Sequence, residues 1–206
     1  MPSYIKKKVK CGCCNNESEI TVLRGLYRRE AMELDTYPGK EAAFDKIEEC
    51  PVCGYAGHHI SEEANEAIKN YVASGAHRDA GVTDPTERRL LAAARISEVR
   101  KDLKNAAYDY LLLSWYRRDT GADGRAAMQQ AASLYASYLE NHADVDPAIT
   151  YLDIERQLGN FREAEETADS LDAFVTDGFR KGLIAKEKEL IAAGDCGRHS
   201  VNEVGR

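Results

Sequence analysis

The sequence predicts a mainly α-helical chain with a small β-containing head, and three observations predict it. Two Cys-x-x-Cys pairs stand in the first sixty residues, Cys11 with Cys14 and Cys50 with Cys53. Beyond residue 60, apolar residues recur at the three-and-four spacing of one helix face, punctuated by Gly and Asp-Pro. Charge divides at the same place: nine basic side chains balance nine acidic ones up to residue 60, so the whole net charge of −7 lies beyond it. The expected organisation is a zinc-ribbon-like head over 1–60, a helical domain over 61–194 and a loose tail over 195–206. At 43% hydrophobic and 31% charged residues the chain has material for a core and is no disordered acidic tail.

No apolar run approaches the roughly 18–20 residues that span a bilayer, so no membrane association is expected. The opening Met-Pro-Ser-Tyr-Ile, followed by Lys6, Lys7 and Lys8, lacks the apolar stretch of a signal peptide. A cytoplasmic location is expected. The lysines Lys6, Lys7, Lys8 and Lys10 read first as a solvated edge strand blunted against aggregation. Contact with nucleic-acid phosphate is the alternative, but such a face is usually wider, and the remainder of the chain is acidic. Glu17 to Leu23 and Phe44 to Glu49 read as short strands, with a turn at Pro38-Gly39.

The two cysteine pairs carry the chemistry. Two residues between cysteines make a tight turn that aims both sulfurs at one point about 2.3 Å away, and two such turns supply a tetrahedron. Pro51 presets one turn, Gly54 can take the left-handed conformation after the second pair, and Asn15 tolerates it after the first. Four thiolates leave no open coordination position, which describes a structural metal rather than a catalytic one. The expected ligands are Cys11, Cys14, Cys50 and Cys53, holding one Zn2+ per chain. Iron is the alternative, because the Cys50-Pro51-Val52-Cys53-Gly54 turn also resembles a rubredoxin knuckle. Cys13, inside the first turn, reads as a spectator thiol; His58 and His59 read as surface or outer groups, and Cys196 is assigned nothing.

From residue 61 the chain reads as about seven helices packed as antiparallel hairpins. Ser61 with Glu62 and Glu63 marks a start, followed by Ala64, Ala67, Ile68, Tyr71 and Val72 on one face. Asp84-Pro85-Thr86-Glu87 marks a second start. Glu87 to Asp119 holds two helices broken near Lys101–Asn105. Ala127 to Leu139 forms the next, Asp146-Pro147 opens another that ends at Leu158-Gly159, and two more run from Phe161 and Phe179 towards Gly194. Tyr151-Leu152, Leu158-Gly159-Asn160-Phe161, Ala164 and Ala168 look like one tetratricopeptide unit, with small residues where the helices touch. Leu111 to Ala131 is a poorer copy.

Taken together, Cys11-x-x-Cys14, Phe44 to Ala56 around Cys50-Pro51-Val52-Cys53-Gly54, Ser114-Trp115-Tyr116-Arg117-Arg118 and Tyr151 to Ala164 resemble a bacterial family known only as a domain of unknown function, number 2225. The resemblance spans roughly residues 6 to 175. It implies two zinc knuckles followed by a tetratricopeptide-like region, and no activity. Gly12 stands where that family usually carries proline, and Cys13 is additional.

No catalytic residue is expected. The chain has no His-Glu-x-x-His, no Gly-x-Ser-x-Gly and no phosphate-binding loop. The expected function is a zinc-stabilised protein-interaction module, an adaptor or scaffold, that takes a protein or peptide segment in a helical groove. Arg117, Arg118 and Arg156 are the candidate groove residues. The alternatives are an iron-thiolate electron-transfer protein and a nucleic-acid-contacting zinc protein acting through Lys6–Lys10.

Overall fold

The computed structural model describes residues 3–25, 32–38, 43–78 and 81–204. It is mainly helical with a small β head, as the sequence predicts, and its contacts divide it into two compact units. The first comprises residues 1–27 and 40–127, the second 28–39 and 128–206. The expected boundary at residue 60 is therefore wrong, for a physical reason visible in the first unit.

That unit begins with two β-hairpins. Strands β1 (Ser3–Lys10) and β2 (Glu17–Gly25) pair antiparallel, with Lys10 opposite Glu17 and Lys6 opposite Thr21. The second hairpin is much shorter: β3 (Glu48–Glu49) against β4 (Ala56–Gly57). The expected strand over Phe44–Glu49 is strand only at its end, because Phe44–Lys46 forms a 3-10 turn that buries Phe44 edge-on to Tyr116. A pair of two-residue strands has no stability of its own. Its apolar residues are completed from outside: Val9, Cys11, Cys50, Tyr55 and Ile60 share one buried cluster with Ile68, Val72 and Ile96 of the two helices that follow. Among the described residues the head thus has no core separate from the helices.

Helix α1 (Glu66–Ala73) starts later than Ser61 suggested, with Asn65 as its cap accepting from the Ile68 amide at 3.0 Å. The backbone between is already committed: the Gly12 amide donates to Ile60 O and the Ala64 amide to Gly12 O. Helix α2 (Pro85–Arg100) starts where expected, Asp84 accepting from the Glu87 amide at 2.8 Å. It stops at Lys101, which takes a left-handed conformation with φ of 63°, and Asp102 then caps α3 (Leu103–Asp119). Between α2 and α3 lie Leu90, Ala93, Ala94, Ala107, Leu111 and Trp115, all buried. Trp115 is core.

The division falls within α4 (Arg125–Leu139). The second unit continues with α5 (Val145–Leu158), α6 (Phe161–Asp172) and α7 (Gly178–Ala192). Asp144, rather than Asp146, precedes α5, and Asp146 instead meets Arg180 at 2.8 Å. Helices α5 and α6 form a hairpin around Leu152, Ala164 and Ala168, closed by Gly159 and Asn160 amides that bond back to Arg156 O and Glu155 O. Leu34, from the segment between the two β-hairpins, is buried in the same cluster.

The expected loose tail is also corrected. Over residues 195–204 it is held: the Leu34 amide donates to His199 O, the Val201 amide to Met32 O, and Ser200 with Glu203 closes a reciprocal cap. Val201 and Val204 pack on the core of the second unit. Residues 205–206 and Gly39 of the expected turn lie outside the described residues.

Candidate metal centre

Each Cys-x-x-Cys turn sits at the tip of a hairpin, and the two turns are built alike. The Cys11 amide donates to Asn16 O and the Asn15 amide to Cys11 O; the Cys50 amide donates to Tyr55 O and the Gly54 amide to Cys50 O, each at 2.9 Å. Asn15 and Gly54 occupy equivalent left-handed positions, with φ of 61° and 76°. The hairpin closes the chain, the left-handed residue turns it, and both sulfurs of a pair project inward. Gly54 is required twice over, since a side chain there would also run into His77 and Arg78.

The four sulfurs of Cys11, Cys14, Cys50 and Cys53 all lie within 4.8 Å of one another. Cys11 and Cys53 are 3.8 Å apart, and so are Cys14 and Cys50. A tetrahedron with metal–sulfur bonds of about 2.3 Å has edges of about 3.8 Å. Two opposite edges of the donor set thus already have the length of a tetrahedral thiolate-bound ion. All six cysteines are free thiols.

Around the sulfurs the polar groups are few and aimed. The Cys13 amide lies 3.4 Å from the Cys11 sulfur and the Asn16 side-chain amide 3.4 Å from that of Cys14. Burial pushes the Cys11 thiol up to about 11 and the Cys53 thiol further still. At Cys14 burial acts the same way but is outweighed by the hydrogen bonds from Asn16, and the thiol is drawn down to about 7. A bound dication would displace these protons, because only the thiolate is a ligand.

Of the other residues near the pairs, Cys13 is not part of the four-sulfur cluster. His59 is exposed. His58 turns away, its Nε2 3.0 Å from Asp109 Oδ1, with its ring stacked on Tyr108. Asp109 is fully buried in α3 and also accepts from Ser97 at 2.9 Å. Ser97 therefore bonds to the carboxylate rather than to the imidazole, which is not the order a nucleophile and its base require. His77, buried under Gly54 and against Tyr71, was not singled out from sequence; an isolated histidine after Gly75 gives no periodic signal. Asp109 did leave one, as an acid inside an otherwise apolar stretch.

Gly12 explains its own identity. A Cβ there would overlap the Glu62 carbonyl, and its amide is used by Ile60 O at 2.8 Å. A proline would lose that bond and fill the same space. Lys6 meets Glu19 at 3.0 Å, Lys7 approaches Glu48 at 4.0 Å, and Lys10 stands opposite Glu17.

The expected groove arginines each lie beside acidic groups of the chain. Arg117 pairs with Glu87 at 2.8 Å, and Arg118 is half-buried beside Asp119. Arg156 is fully buried, pairing with Asp153 and with Glu187, the latter at 2.7 Å, and its Nη1 donates to Asp195 O and Gly197 O. An arginine three residues after an aspartate on a helix reads as surface, and nothing local shows that a distant tail will close over it.

Among the described residues no helix is long and apolar enough to cross a membrane. No family model, no curated protein and no solved structure matches the chain.

Proposed function

We propose that the chain is a cytoplasmic, zinc-stabilised protein-interaction module with no catalysis of its own. One observation carries the metal: two opposite edges of the four-sulfur cluster, both 3.8 Å, have the length a tetrahedral thiolate site needs. Zinc suits a closed site whose neighbours are a hairpin of two-residue strands and helices α1 and α2, since it gives folding energy to parts too small to fold alone. Reduced thiols in such number fit a reducing compartment. The adaptor role is supported by a helical second unit that offers surface rather than a reactive constellation. Nucleic acid is disfavoured because the lysines of β1 face Glu17, Glu19 and Glu48 and the remainder of the chain is acidic.

Metal analysis of the purified chain tests the first half. One zinc per chain and a colourless preparation are expected, with metal lost in Cys50→Ser and kept in Cys13→Ser. A red preparation with iron in equal proportion would favour electron transfer, since an iron-thiolate centre fits the same sulfur geometry. Cross-linking of tagged chain in its native cells tests the second half: a recurring protein partner is expected, and recurring nucleic acid would overturn it.

A further inference from the structure

The second unit carries a cleft of about 780 Å3 between the end of α4, the loop at 140–144, the start of α5 and one face of α6. Its apolar lining comes from Leu139, Ala148, Tyr151, Leu171 and Phe174. Phe174 is 50% exposed, an unusual position for a large aromatic side chain. The charged lining is acidic. Glu140, Asp144, Glu163 and Glu166 surround the cleft, and no lysine or arginine is among its lining residues. His142, the one basic group there, is stacked on Tyr138 with its Nδ1 2.8 Å from Tyr138 O. Burial first, then the charges of Glu155 and Glu163, push the Tyr151 hydroxyl up to about 12.

We propose that this cleft docks a basic amphipathic segment of a partner protein, its apolar side chains on Phe174 and Leu139 and its lysines or arginines against Glu140, Glu163 and Glu166. The assignment rests on the adaptor reading above and gives it a surface and a partner chemistry. The charge decides the occupant. Phosphate would be repelled by four carboxylates, and a small cation would leave the apolar lining uncovered. A helix with one cationic and one apolar face satisfies both. Arg162, which meets Glu166 at 3.0 Å, does not compete strongly, because that pair is exposed and such pairs contribute little.

The test uses the purified full chain and three fluorescein-labelled peptides of about four helical turns. One is basic and amphipathic, one carries glutamate in place of every lysine, and one has the basic composition with its apolar residues scattered. Anisotropy should show the first binding at least about tenfold tighter than either of the others, since both charge and face are read. The double variant Glu163→Lys/Glu166→Lys should weaken the basic peptide by about tenfold or more and improve binding of the acidic one. Phe174→Ser should also weaken it by about tenfold with an unchanged melting temperature. Equal binding of the scattered peptide, no response to the charge reversal, or no binding at all would overturn the assignment. A cross-linked partner retained by the triple variant Glu163→Lys/Glu166→Lys/Phe174→Ser would remove this cleft and leave the adaptor reading standing. Absence of any partner together with absence of peptide binding would remove both.

Discussion

The first unit gathers its irregular chain with four cysteine sulfurs, and the second gathers its own with a single arginine. In the first, two hairpin tips bring thiols to one point, and their protons must leave before a metal can hold them. In the second, the Arg156 guanidinium reaches Asp153, Glu187 and two tail carbonyls at once, so the fork of one side chain fixes α5, α7 and residues 195–197 together. Both solutions meet the same difficulty, which is that loops have too little apolar surface to anchor themselves. They differ in what they depend on. The thiolate centre depends on something from outside the chain, whereas the arginine cluster is complete within it.

Metal removal should therefore separate the two units most sharply. Structural zinc contributes about 10–16 kcal/mol in small sites, most of it as folding energy. Chelation, or Cys50→Ser, should raise hydrogen exchange over residues 3–25 and 48–78 and loosen the face of α2 around Ile96, because these share one core. Helices α5, α6 and α7 should keep their protection. Far-ultraviolet helicity should fall in part, by the share of α1 and the adjoining α2. Equal loss of protection in α5 and α6 would mean that the second unit leans on the metal as well, and the contrast would fail.

Arg156→Ala is the matching experiment on the second unit. It leaves Asp153 and Glu187 buried without their cation, and breaking such a pair costs about 3–5 kcal/mol. Thermal unfolding should shift accordingly, protease should reach residues 195–204 first, and metal content should not change. A conservative Arg156→Lys should recover only part of the loss, since an ammonium cannot reproduce the fork. The cluster also has a proton to account for. One guanidinium cannot neutralise two buried carboxylates, and burial together with the Glu187 charge pushes Asp153 up to about 8. A protonated Asp153 supplies a donor where Glu187 Oε1 is buried without a hydrogen-bond partner. The folded state then holds a proton that the unfolded chain releases near its ordinary value, so this site's contribution to stability falls as pH rises from about 4 towards 8. Asp153→Asn should remove that slope, gaining on the parent chain as pH increases in denaturant titrations.

What the sequence made legible was local. The spacing of Cys11, Cys14, Cys50 and Cys53, the left-handed Asn15 and Gly54, the Asp84-Pro85 start and the break after Arg100 each depend on a few neighbouring residues. The misplaced features depend on contacts distant in sequence. Ser61 carries a helix-start signal, yet the Ile60–Ala64 backbone is bound to Gly12, about fifty positions earlier. The tail from Asp195 looks polar and glycine-rich, yet its carbonyls are the acceptors Arg156 needs. The boundary at residue 60 followed composition and charge, whereas the core follows burial, and Ile68 and Ile96 cover Cys11 and Tyr55 regardless of where composition changes.

Gly12 sharpens the comparison at the level of one atom. Gly12→Ala should cost about 1–3 kcal/mol as an overpacked contact with Glu62. The effect should appear in the first unit alone, as a lower melting temperature and weaker retention of metal against a chelator. Gly12→Pro should be worse, because it also removes the bond to Ile60 O. A neutral Gly12→Ala would show that the 60–64 segment can move aside without disturbing the knuckle.

The smallest expected effect is the pH response of His58. Its imidazole is the counter-charge to Asp109, which has no exposure to solvent, and this pair joins the second hairpin to α3. The Asp109 carboxylate 3.0 Å away raises the His58 pKa above its usual 6.5 despite burial, which acts the other way. A raised histidine favours the folded state while it is protonated. The contribution is complete below the unfolded value of about 6.5 and is lost as pH climbs through the higher folded one. The first unit should therefore lose stability gently above neutrality, with exchange rising first at Ala56–His58 and the facing turn of α3. His58→Gln keeps a donor but not the charge, and it should flatten this response while lowering stability near pH 6. The second unit's slope, set by Asp153, should be untouched in that variant. If His58→Gln leaves the pH profile of the first unit unchanged, the dyad does not hold the hairpin to the helix, and the packing of Tyr55 and Ile60 must do so unaided.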